Sequence, residues 1–294
     1  MNTPVGFVGL GLMGHAMAGR LLAQGRKIVV YNRTRDKAQS LLDAGATWCE
    51  SPAAVARRAS IVLSMVSDSA ALESVSTGPD GILNGAREDL LHVDHSTVAP
   101  STTHKLGEAY QTRGRTFMHC PVLGSVSQAE SGSLLLFAGG PDDAYTRVEP
   151  LLQILGSQIW RFSTPPQASH TKLMCNLFIA GMVTTLGQAL AYARKANVDP
   201  SLLLQIISHS ALNAPTYQTK GASILEGNFS PRFYLQHMLK DVTLMLDAAG
   251  SVGARLPAIE ITRSLLQRAV NEGLGKEDYS AVVKILLEDA GIAT

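Results

Sequence analysis

Short apolar runs rich in β-branched residues alternate with amphipathic or Ala-rich segments through the first half of the chain. The apolar runs predict strands, at 5–10, 27–31, 60–65, 90–96, 116–122, 133–140 and 157–162. The segments between them predict helices, near 13–24, 35–44, 70–76, 100–112 and 142–154. Strands and helices in alternation are typical of βαβ units around a parallel sheet.

The pattern changes at two prolines in the stretch STPPQ, residues 163–167, after which no further strand is predicted. Six helices follow, near 169–196, 200–211, 215–225, 235–250, 257–273 and 278–290. The first is apolar nearly all round, which is typical of a helix that runs through a core. Because a chain of 294 residues is long enough for two domains, we predict an α/β domain at 1–163 and an all-α domain at 164–294, joined by a long interdomain helix.

Charge and cysteine usage narrow the expected partners. Lys+Arg 25 against Asp+Glu 24 leaves a formal net charge of +1, and no basic run interleaves with aromatics, so nucleic acid is not expected. Three widely spaced cysteines favour reduced thiols in a cytoplasmic protein. The N-terminus lacks signal-peptide features, and no apolar stretch of roughly 18 residues runs without a polar interruption, so no membrane partner is expected. His92 and His95 lie on opposite faces of a strand, and no metal site is expected there.

Three glycines follow the first strand and precede a helical pattern. Gly9, Gly11 and Gly14 have the G-x-G-x-x-G spacing, with Leu10, Leu12 and Met13 between them. Gly9 permits a tight turn, Gly11 lets a pyrophosphate approach the backbone, and Gly14 lets the helix pack close to the strand. Because the helix N-terminus presents N–H groups to an anion, this context predicts a dinucleotide site in a Rossmann-type domain.

The second strand ends in Asn32, Arg33 and Thr34, where a cofactor with a free ribose 2′-hydroxyl is usually held by a carboxylate. A carboxylate repels a 2′-phosphate, whereas an arginine pairs with it, so the sequence favours NADP(H) over NAD(H). The alternative is an exposed arginine that only starts a helix.

Lys172 is the only formally charged residue between Arg161 and Arg194. On a helix it shares one face with Asn176, one turn later, and that face is otherwise apolar. Near a helix N-terminus, both the macrodipole and desolvation are expected to lower the pKa of such a lysine, which suits a proton donor or acceptor. The alternative is a lysine that buries its stem and extends its ammonium to solvent.

Five motifs, in order, resemble the β-hydroxyacid dehydrogenase family over essentially the whole chain. They are GLGLMGHAMAGRLL at the glycine loop, DHSTVAP at 94–100, PVLGSVSQAESGSLLLFAGG at 121–140, TKLMCN at 171–176 and LKDVTLMLDAA at 239–249. The resemblance implies hydride transfer between NADPH and a small aldehyde or semialdehyde, the product being a hydroxy acid. It also implies a homodimer or homotetramer.

The resemblance assigns roles to particular residues. Lys172 matches the catalytic acid or base and Asn176 a substrate-binding residue. Thr97 matches a residue near the nicotinamide, and Lys240 one that closes over the cofactor. The turn Met65, Val66 and Ser67 matches the segment that borders the adenosine ribose and pyrophosphate.

The substrate loop departs from the family pattern. Leu123 stands where a serine is usual, which removes a hydroxyl for a substrate carboxylate or hydroxyl, although Ser125 and the backbone N–H groups near Gly124 offer substitutes. Two alternatives follow from the same residues: an imine reductase that uses NADPH on the same fold, and a noncatalytic NADPH-binding protein.

Overall fold

A computed structural model describes residues 3–292 of the chain. The chain divides into two compact units at Lys172 and Leu173, whereas the proline pair led us to expect the division at 163/164. The difference arises because the first turns of the long helix pack within the first unit. Ala168 is fully buried against Gly139, and the Ser169 hydroxyl lies 3.2 Å from that of Thr103.

The described residues of the first unit form a nine-stranded sheet in the order β3-β2-β1-β4-β5-β6-β8-β7, with β9 paired to β8. The strands are β1 Val5–Val8, β2 Ile28–Tyr31, β3 Thr47–Trp48, β4 Ile61–Ser64, β5 Leu91–Asp94, β6 Thr116–His119, β7 Val122–Leu123, β8 Leu134–Gly139 and β9 Gly156–Phe162. Strands β1 to β6 are mutually parallel, and β8 runs antiparallel to β6 and β7. This is the order of a doubly wound dinucleotide-binding sheet, so the predicted fold class is confirmed for this unit.

Helices cover both faces of the sheet. They are α1 Leu12–Ala23, α2 Gln39–Asp43, α3 Pro52–Arg58, α4 Ser69–Thr77, α5 Pro100–Thr112, α6 Val126–Ser131 and α7 Asp142–Leu155. Two apolar clusters result: Phe7 of β1 packs in one with α1 and α7, and the next residue, Val8, packs in the other with α3 and α5. Strands buried on both faces explain the continuous apolar runs in the sequence.

Some short elements differ from the sequence-based prediction. The run 116–122 was predicted as one strand, but Pro121 follows Cys120 between β6 and β7, and the chain turns there to pair antiparallel with β8. Strand β3 has only two residues, and helices α3 and α6 have seven and six, so their apolar patterns were too short to be recognised.

The second unit is helical in its described residues, apart from one isolated bridge between Tyr234 and Asp278. Its α-helices are the later part of α8 Pro165–Lys195, then α9 Pro200–Ser208, α10 Pro215–Leu225, α11 Leu235–Ser251, α12 Pro257–Asn271 and α13 Val282–Asp289. One apolar cluster, which includes Leu186, Val242 and Leu266, fills its centre. The predicted all-α second domain is confirmed.

Helix α8 is also long and apolar enough to cross a membrane, by length and composition only, and 44% of its most apolar window is buried inside the structure. The core helix of a soluble protein passes the same test. The expectation of no membrane partner stays a prediction.

Candidate active site

The glycine turn has the close approaches that its spacing predicts. Gly9 has φ +93°, and a Cβ there would collide with the carbonyl oxygen of Met65. A Cβ at Gly14 would collide with the carbonyl oxygen of Gly9, which brings α1 close to β1. Both positions therefore require glycine to keep the turn tight.

Gly11 differs from its two neighbours because a Cβ there would meet no atom within 4 Å. It is the exposed N-cap of α1, and no side chain caps the helix at this end. The first N–H groups of a helix have no intrahelical partner and favour an anion. The open space at Gly11, together with this helix end, fits the pyrophosphate of a dinucleotide.

The end of β2 is tied to the glycine turn through Asn32. Its Oδ1 accepts a hydrogen bond from the Leu10 N–H at 2.9 Å, and its Nδ2 donates to the Thr34 carbonyl oxygen at 2.8 Å. Asn32 thus holds two turns in place, while Arg33 and Thr34 are exposed beside them. The carboxyl ends of β1 and β2 therefore present an arginine and no carboxylate at residues 32–34.

The turn after β4 is tied to the segment after β5. The Val66 N–H donates to Ser96 Oγ at 2.8 Å, and the Ala99 N–H donates to Ser69 Oγ at 3.1 Å. Ser67 is exposed, and Thr97, directly after Ser96, is half-buried. The structure thus brings the predicted cofactor segments at Gly9, Met65–Ser67 and Thr97 to the carboxyl edge of neighbouring parallel strands, where doubly wound sheets bind ligands.

Beneath this edge lies a buried polar row that sequence reasoning missed. The sheet register places Ser64, Asp94 and His119 side by side on β4, β5 and β6, and none has exposed surface. The Asp94 Oδ1 accepts from Ser64 Oγ at 2.6 Å and from Ser96 Oγ at 2.8 Å. Asp94 Oδ2 accepts from the Ser96 N–H at 3.1 Å and lies 3.2 Å from His119 Nδ1.

The row continues to two further histidines. Because Ser64 gives its hydroxyl proton to Asp94, His92 Nε2 donates to Ser64 Oγ at 2.8 Å, and His92 Nδ1 accepts from the Tyr110 hydroxyl at 2.8 Å. His95 Nδ1 donates to the Cys120 carbonyl oxygen at 2.7 Å. The sequence HVDHST signals a polar strand end, but only the register of three strands shows what its residues meet.

Burial sets the charge state of these groups. It lowers the pKa of both His92 and His95 to about 4, against the opposing attraction of Asp94, so both imidazoles are neutral. Burial alone raises the pKa of Asp94, but hydrogen bonding and charge attraction from His119, with the Ser64 bond, outweigh it and leave that pKa below its ordinary value. Asp94 is therefore a fully buried carboxylate.

The substrate loop is organised by its own helix. Leu123 ends β7 half-buried, and Gly124 follows with φ +142°, in the region that favours glycine. Ser125 caps α6: its N–H and its Oγ–H donate to Gln128 Oε1 at 2.9 and 2.6 Å. The Ser125 hydroxyl, which we considered as a substitute for the missing serine, is thus engaged within the loop.

Lys172 lies further inside α8 than the sequence pattern predicts. The helix begins at Pro165 and not near 169, so Lys172 is about two turns from its N-terminus, beyond the first turn in which the macrodipole acts. The expectation that the helix dipole acts on Lys172 is therefore wrong. Burial remains, since only 9% of Lys172 is exposed.

In the second unit, Asn176 is fixed by a residue that the sequence analysis did not select. Its Nδ2 donates to Asp241 Oδ2 at 2.7 Å, and Asp241 Oδ1 pairs with Lys240 Nζ at 2.9 Å. Asn176 and Asp241 are both buried. Among the described residues Asn176 Oδ1 has no hydrogen-bond partner, so the amide presents an acceptor. The Lys-Asp pair in LKDVTL was the available signal for Asp241.

No group of three or more His, Cys, Asp or Glu residues positioned for a metal ion occurs within residues 3–292.

Two family models cover the chain. That of the NAD binding domain of 6-phosphogluconate dehydrogenase matches residues 4–163, and that of the NAD-binding region of NADP-dependent 3-hydroxyisobutyrate dehydrogenase matches residues 167–286. Glyoxylate/succinic semialdehyde reductase 1 of Arabidopsis thaliana is 33% identical over 280 residues, which are 95% of this chain and 97% of that protein.

Solved structures agree in fold. The 3-hydroxyisobutyrate dehydrogenase of Salmonella typhimurium is 26% identical with a TM-score of 0.88, covering 97% of this chain and 100% of that one. An imine reductase of Myxococcus stipitatus, in complex with NADP⁺, is 18% identical with a TM-score of 0.67, covering 96% and 99% of the two chains, and shows the fold alone.

The strand order, the glycine turn and these matches define an NAD(P)-dependent oxidoreductase that acts on CH–OH groups. The chain belongs to the β-hydroxyacid dehydrogenase family, as the five sequence motifs predicted.

Proposed function

We propose that this protein is an NADP(H)-dependent reductase of a small aldehyde or semialdehyde, with Lys172 as the proton donor to the carbonyl oxygen. The observation that carries the proposal is the buried Lys172, only 9% exposed, one helical turn before the buried amide of Asn176 on α8. A largely buried lysine beside a buried amide places a proton donor and a hydrogen-bonding group on one face of the helix.

Each residue has one task in this proposal. A bound nicotinamide supplies the hydride. Lys172 gives a proton to the carbonyl oxygen during reduction and takes it back from the hydroxyl during oxidation. Asn176, oriented by Asp241, accepts a hydrogen bond through Oδ1 from a substrate hydroxyl or from Lys172. We assign Thr97 to the nicotinamide end of the cofactor and Lys240 to its closure.

We further propose a preference for NADP(H) over NAD(H). Support comes from Arg33, which is exposed beside the glycine turn, and from Asn32, which stands where a carboxylate would select a free 2′-hydroxyl. An arginine forms a charge-assisted pair with a 2′-phosphate, whereas a carboxylate repels it. The matching family model for the second half of the chain is that of an NADP-dependent enzyme.

The substrate is proposed as a carbonyl compound of the size that the named relative reduces, glyoxylate or succinic semialdehyde. Leu123 is the residue that weighs against a carboxylate, because it offers no hydrogen bond, and the nearby Ser125 hydroxyl is engaged with Gln128. The backbone N–H groups near Gly124 remain the donors that favour a carboxylate.

NADPH oxidation by the purified protein over a carbonyl panel tests the proposal. The panel holds glyoxylate, tartronate semialdehyde, succinic semialdehyde, uncharged aldehydes and cyclic imines, each assayed also with NADH. Turnover of a carbonyl with NADPH supports the proposal, and a carboxylated substrate shows that Leu123 is compensated. Turnover of imines alone favours an imine reductase, and NADPH binding without any turnover favours a noncatalytic protein.

We also propose a homodimer or homotetramer located in the cytoplasm, with no nucleic acid or membrane partner. Large apolar side chains are exposed along α8 and α9, among them Met174, Phe178, Tyr192, Leu202 and Ile206, and such faces commonly pack against a second copy. Light scattering of the purified protein measures the number of subunits, and a monomer at micromolar concentration contradicts this part.

A further inference from the structure

The buried carboxylate of Asp94 lies two hydrogen bonds from the turn that we expect to border the cofactor. Asp94 has no exposed surface, so it cannot itself reach a ligand. Its Oδ1 accepts from Ser96 Oγ at 2.8 Å, and Ser96 Oγ accepts from the Val66 N–H at 2.8 Å. The carbonyl oxygen of the preceding residue, Met65, abuts Gly9. A continuous chain of contacts therefore runs from the buried carboxylate to the first glycine of the cofactor loop.

The direction of each hydrogen bond in this chain follows from the chemistry of its members. A backbone N–H only donates, a carboxylate only accepts, and a hydroxyl has one proton to give. The Ser96 proton must therefore point to Asp94, which leaves an oxygen lone pair for Val66. The Ser96 N–H also donates to Asp94 Oδ2 at 3.1 Å, so the carboxylate holds Ser96 by both its backbone and its side chain.

We propose that Ser96 is a positioning residue for the dinucleotide. Asp94 accepts the hydrogen bond of the Ser96 hydroxyl, so that the Ser96 oxygen accepts from the Val66 N–H and fixes the Met65–Ser67 turn against Gly9. The proposal rests on the proposed function, because it assumes that this turn borders the cofactor. In the free protein the fixed turn leaves the pyrophosphate space at Gly11 already formed, so binding does not have to order it.

A matched control exists on the neighbouring strand. Ser64 has the same side chain, is equally buried, and donates to the same oxygen of Asp94 at 2.6 Å. Its hydroxyl does not contact Val66; its other partner is His92. Ser64→Ala therefore measures what a hydrogen bond to Asp94 contributes to stability. Ser96→Ala loses such a bond as well, and in addition leaves the Val66 N–H without its acceptor.

The experiment is a titration of the full-length protein with NADPH, without substrate, for a graded series at position 96. Ser96→Ala should raise the NADPH Kd about tenfold, because the Val66 N–H loses its acceptor. Ser96→Thr keeps the hydroxyl and should bind within about threefold of the parent, and Ser96→Cys, a weaker acceptor, should lie between. Asp94→Ala removes both acceptor oxygens and should weaken NADPH binding as Ser96→Ala does, and Ser64→Ala should bind within about twofold of the parent.

Thermal unfolding of the same variants separates positioning from stability. If the role of Ser96 is purely structural, Ser96→Ala and Ser64→Ala should lower Tm by similar amounts and should have the same NADPH Kd. That result overturns the proposal. In steady-state assays the KM for NADPH should rise in Ser96→Ala, while kcat at saturating NADPH stays within about threefold. If Ser96→Ala does not yield folded protein, Ser96→Cys carries the test, and parental affinity in that variant overturns the proposal.

Different results would contradict the proposed function and the positioning role of Ser96. If the parent protein does not bind NADPH, the proposed function is wrong. If the parent binds NADPH and the Ser96 variants bind it equally well, only the positioning role is wrong. If Asp94→Ala binds NADPH like the parent while Ser96→Ala does not, Ser96 acts without Asp94, and the part of the proposal that concerns Asp94 is wrong.

Discussion

We expect the burial of His92 and His95 to make the stability of the first unit depend on pH. Both imidazoles are fully buried, and burial lowers the pKa of each to about 4, from an ordinary value of 6.5. In the unfolded chain each takes up a proton as the pH falls through 6.5, whereas in the folded chain each stays neutral until about pH 4. Stability is therefore complete above pH 6.5 and is lost progressively as the pH falls towards 4.

The size of the loss follows from these two values. Each histidine contributes a slope of at most about 1.4 kcal/mol per pH unit, so the pair gives at most about 3 kcal/mol per pH unit. Between pH 7.5 and 5 each histidine lowers the free energy of unfolding by about 2 kcal/mol, and the two together lower it by about 4 kcal/mol. Asp94 does not confound this window, because its pKa lies below its ordinary value and its own loss of stability begins only under about pH 4. The loss is a large part of the 5–15 kcal/mol typical of a domain.

The assay is urea unfolding at pH 7.5, 6.5, 5.5 and 5.0, followed by tryptophan fluorescence. The chain has two tryptophans, Trp48 and Trp160, and both lie in the first unit, so the signal reports the unit that holds the histidines. His92→Gln keeps a donor towards Ser64, and His95→Asn keeps the donor towards Cys120. Each should lose about half of the pH slope.

His104→Gln provides the control for the substitution itself, because the His104 side chain is 67% exposed on α5. A parent protein whose unfolding free energy is flat from pH 7.5 to 5 would refute the reasoning. The reasoning would also be refuted if His92→Gln and His95→Asn both kept the pH dependence of the parent.

Three further predictions concern binding and turnover. Gly11→Ala should fold with a Tm near that of the parent, since its Cβ meets no atom within 4 Å, but titration should show at least about a tenfold weaker NADPH affinity, because the methyl fills space that the pyrophosphate needs. Arg33→Ser should lower the ratio of kcat/KM with NADPH to that with NADH by about tenfold or more, measured under saturating carbonyl. Asp241→Asn should raise the carbonyl KM about tenfold or more with little change in NADPH Kd, because the Asn176 amide loses the carboxylate that orients it.

Each of these has a control on a comparable element. Gly107→Ala lies inside α5 and also meets no atom within 4 Å; it should leave NADPH affinity unchanged and should not lower Tm, because alanine is the better helix former. Arg35→Ser removes a cation that stacks over Trp48, and should alter the cofactor ratio less than Arg33→Ser does. The prediction for Gly11 is contradicted if Gly11→Ala binds NADPH as the parent does. The prediction for Arg33 is contradicted if Arg33→Ser leaves the NADPH-to-NADH ratio unchanged, and that for Asp241 if Asp241→Asn keeps the parental KM for the carbonyl.

The sequence predicted the features that depend on local spacing. Gly9, Gly11 and Gly14 have distinct steric environments that match their predicted roles. The positive φ of Gly9 and the contact of Gly14 with the Gly9 carbonyl are local to the turn, whereas the contact of Gly9 with Met65 is not. The order of strands and helices followed from hydrophobic periodicity, since each run is long enough to show its period. The two-unit architecture followed in the same way.

Features that depend on register and distant contacts were missed. The row of Ser64, Asp94 and His119 joins three strands and exists only because the sheet pairs them in register. Asp241 lies 65 positions from Asn176, so helix packing alone reveals its contact. The start of α8 was misplaced because two prolines, which usually interrupt a helix, are tolerated in its first turn.

The most direct test of the central claim is the kcat of Lys172→Met with the best carbonyl substrate at saturating NADPH. Methionine keeps most of the side-chain volume and removes the ammonium, and Lys195→Met, an exposed position on the same helix, is the control. The account predicts a fall in kcat of about 10² to 10⁴ in Lys172→Met, with the NADPH Kd unchanged and with parental kcat in the control. A Lys172→Met enzyme that retains the full kcat contradicts the role of Lys172 as proton donor.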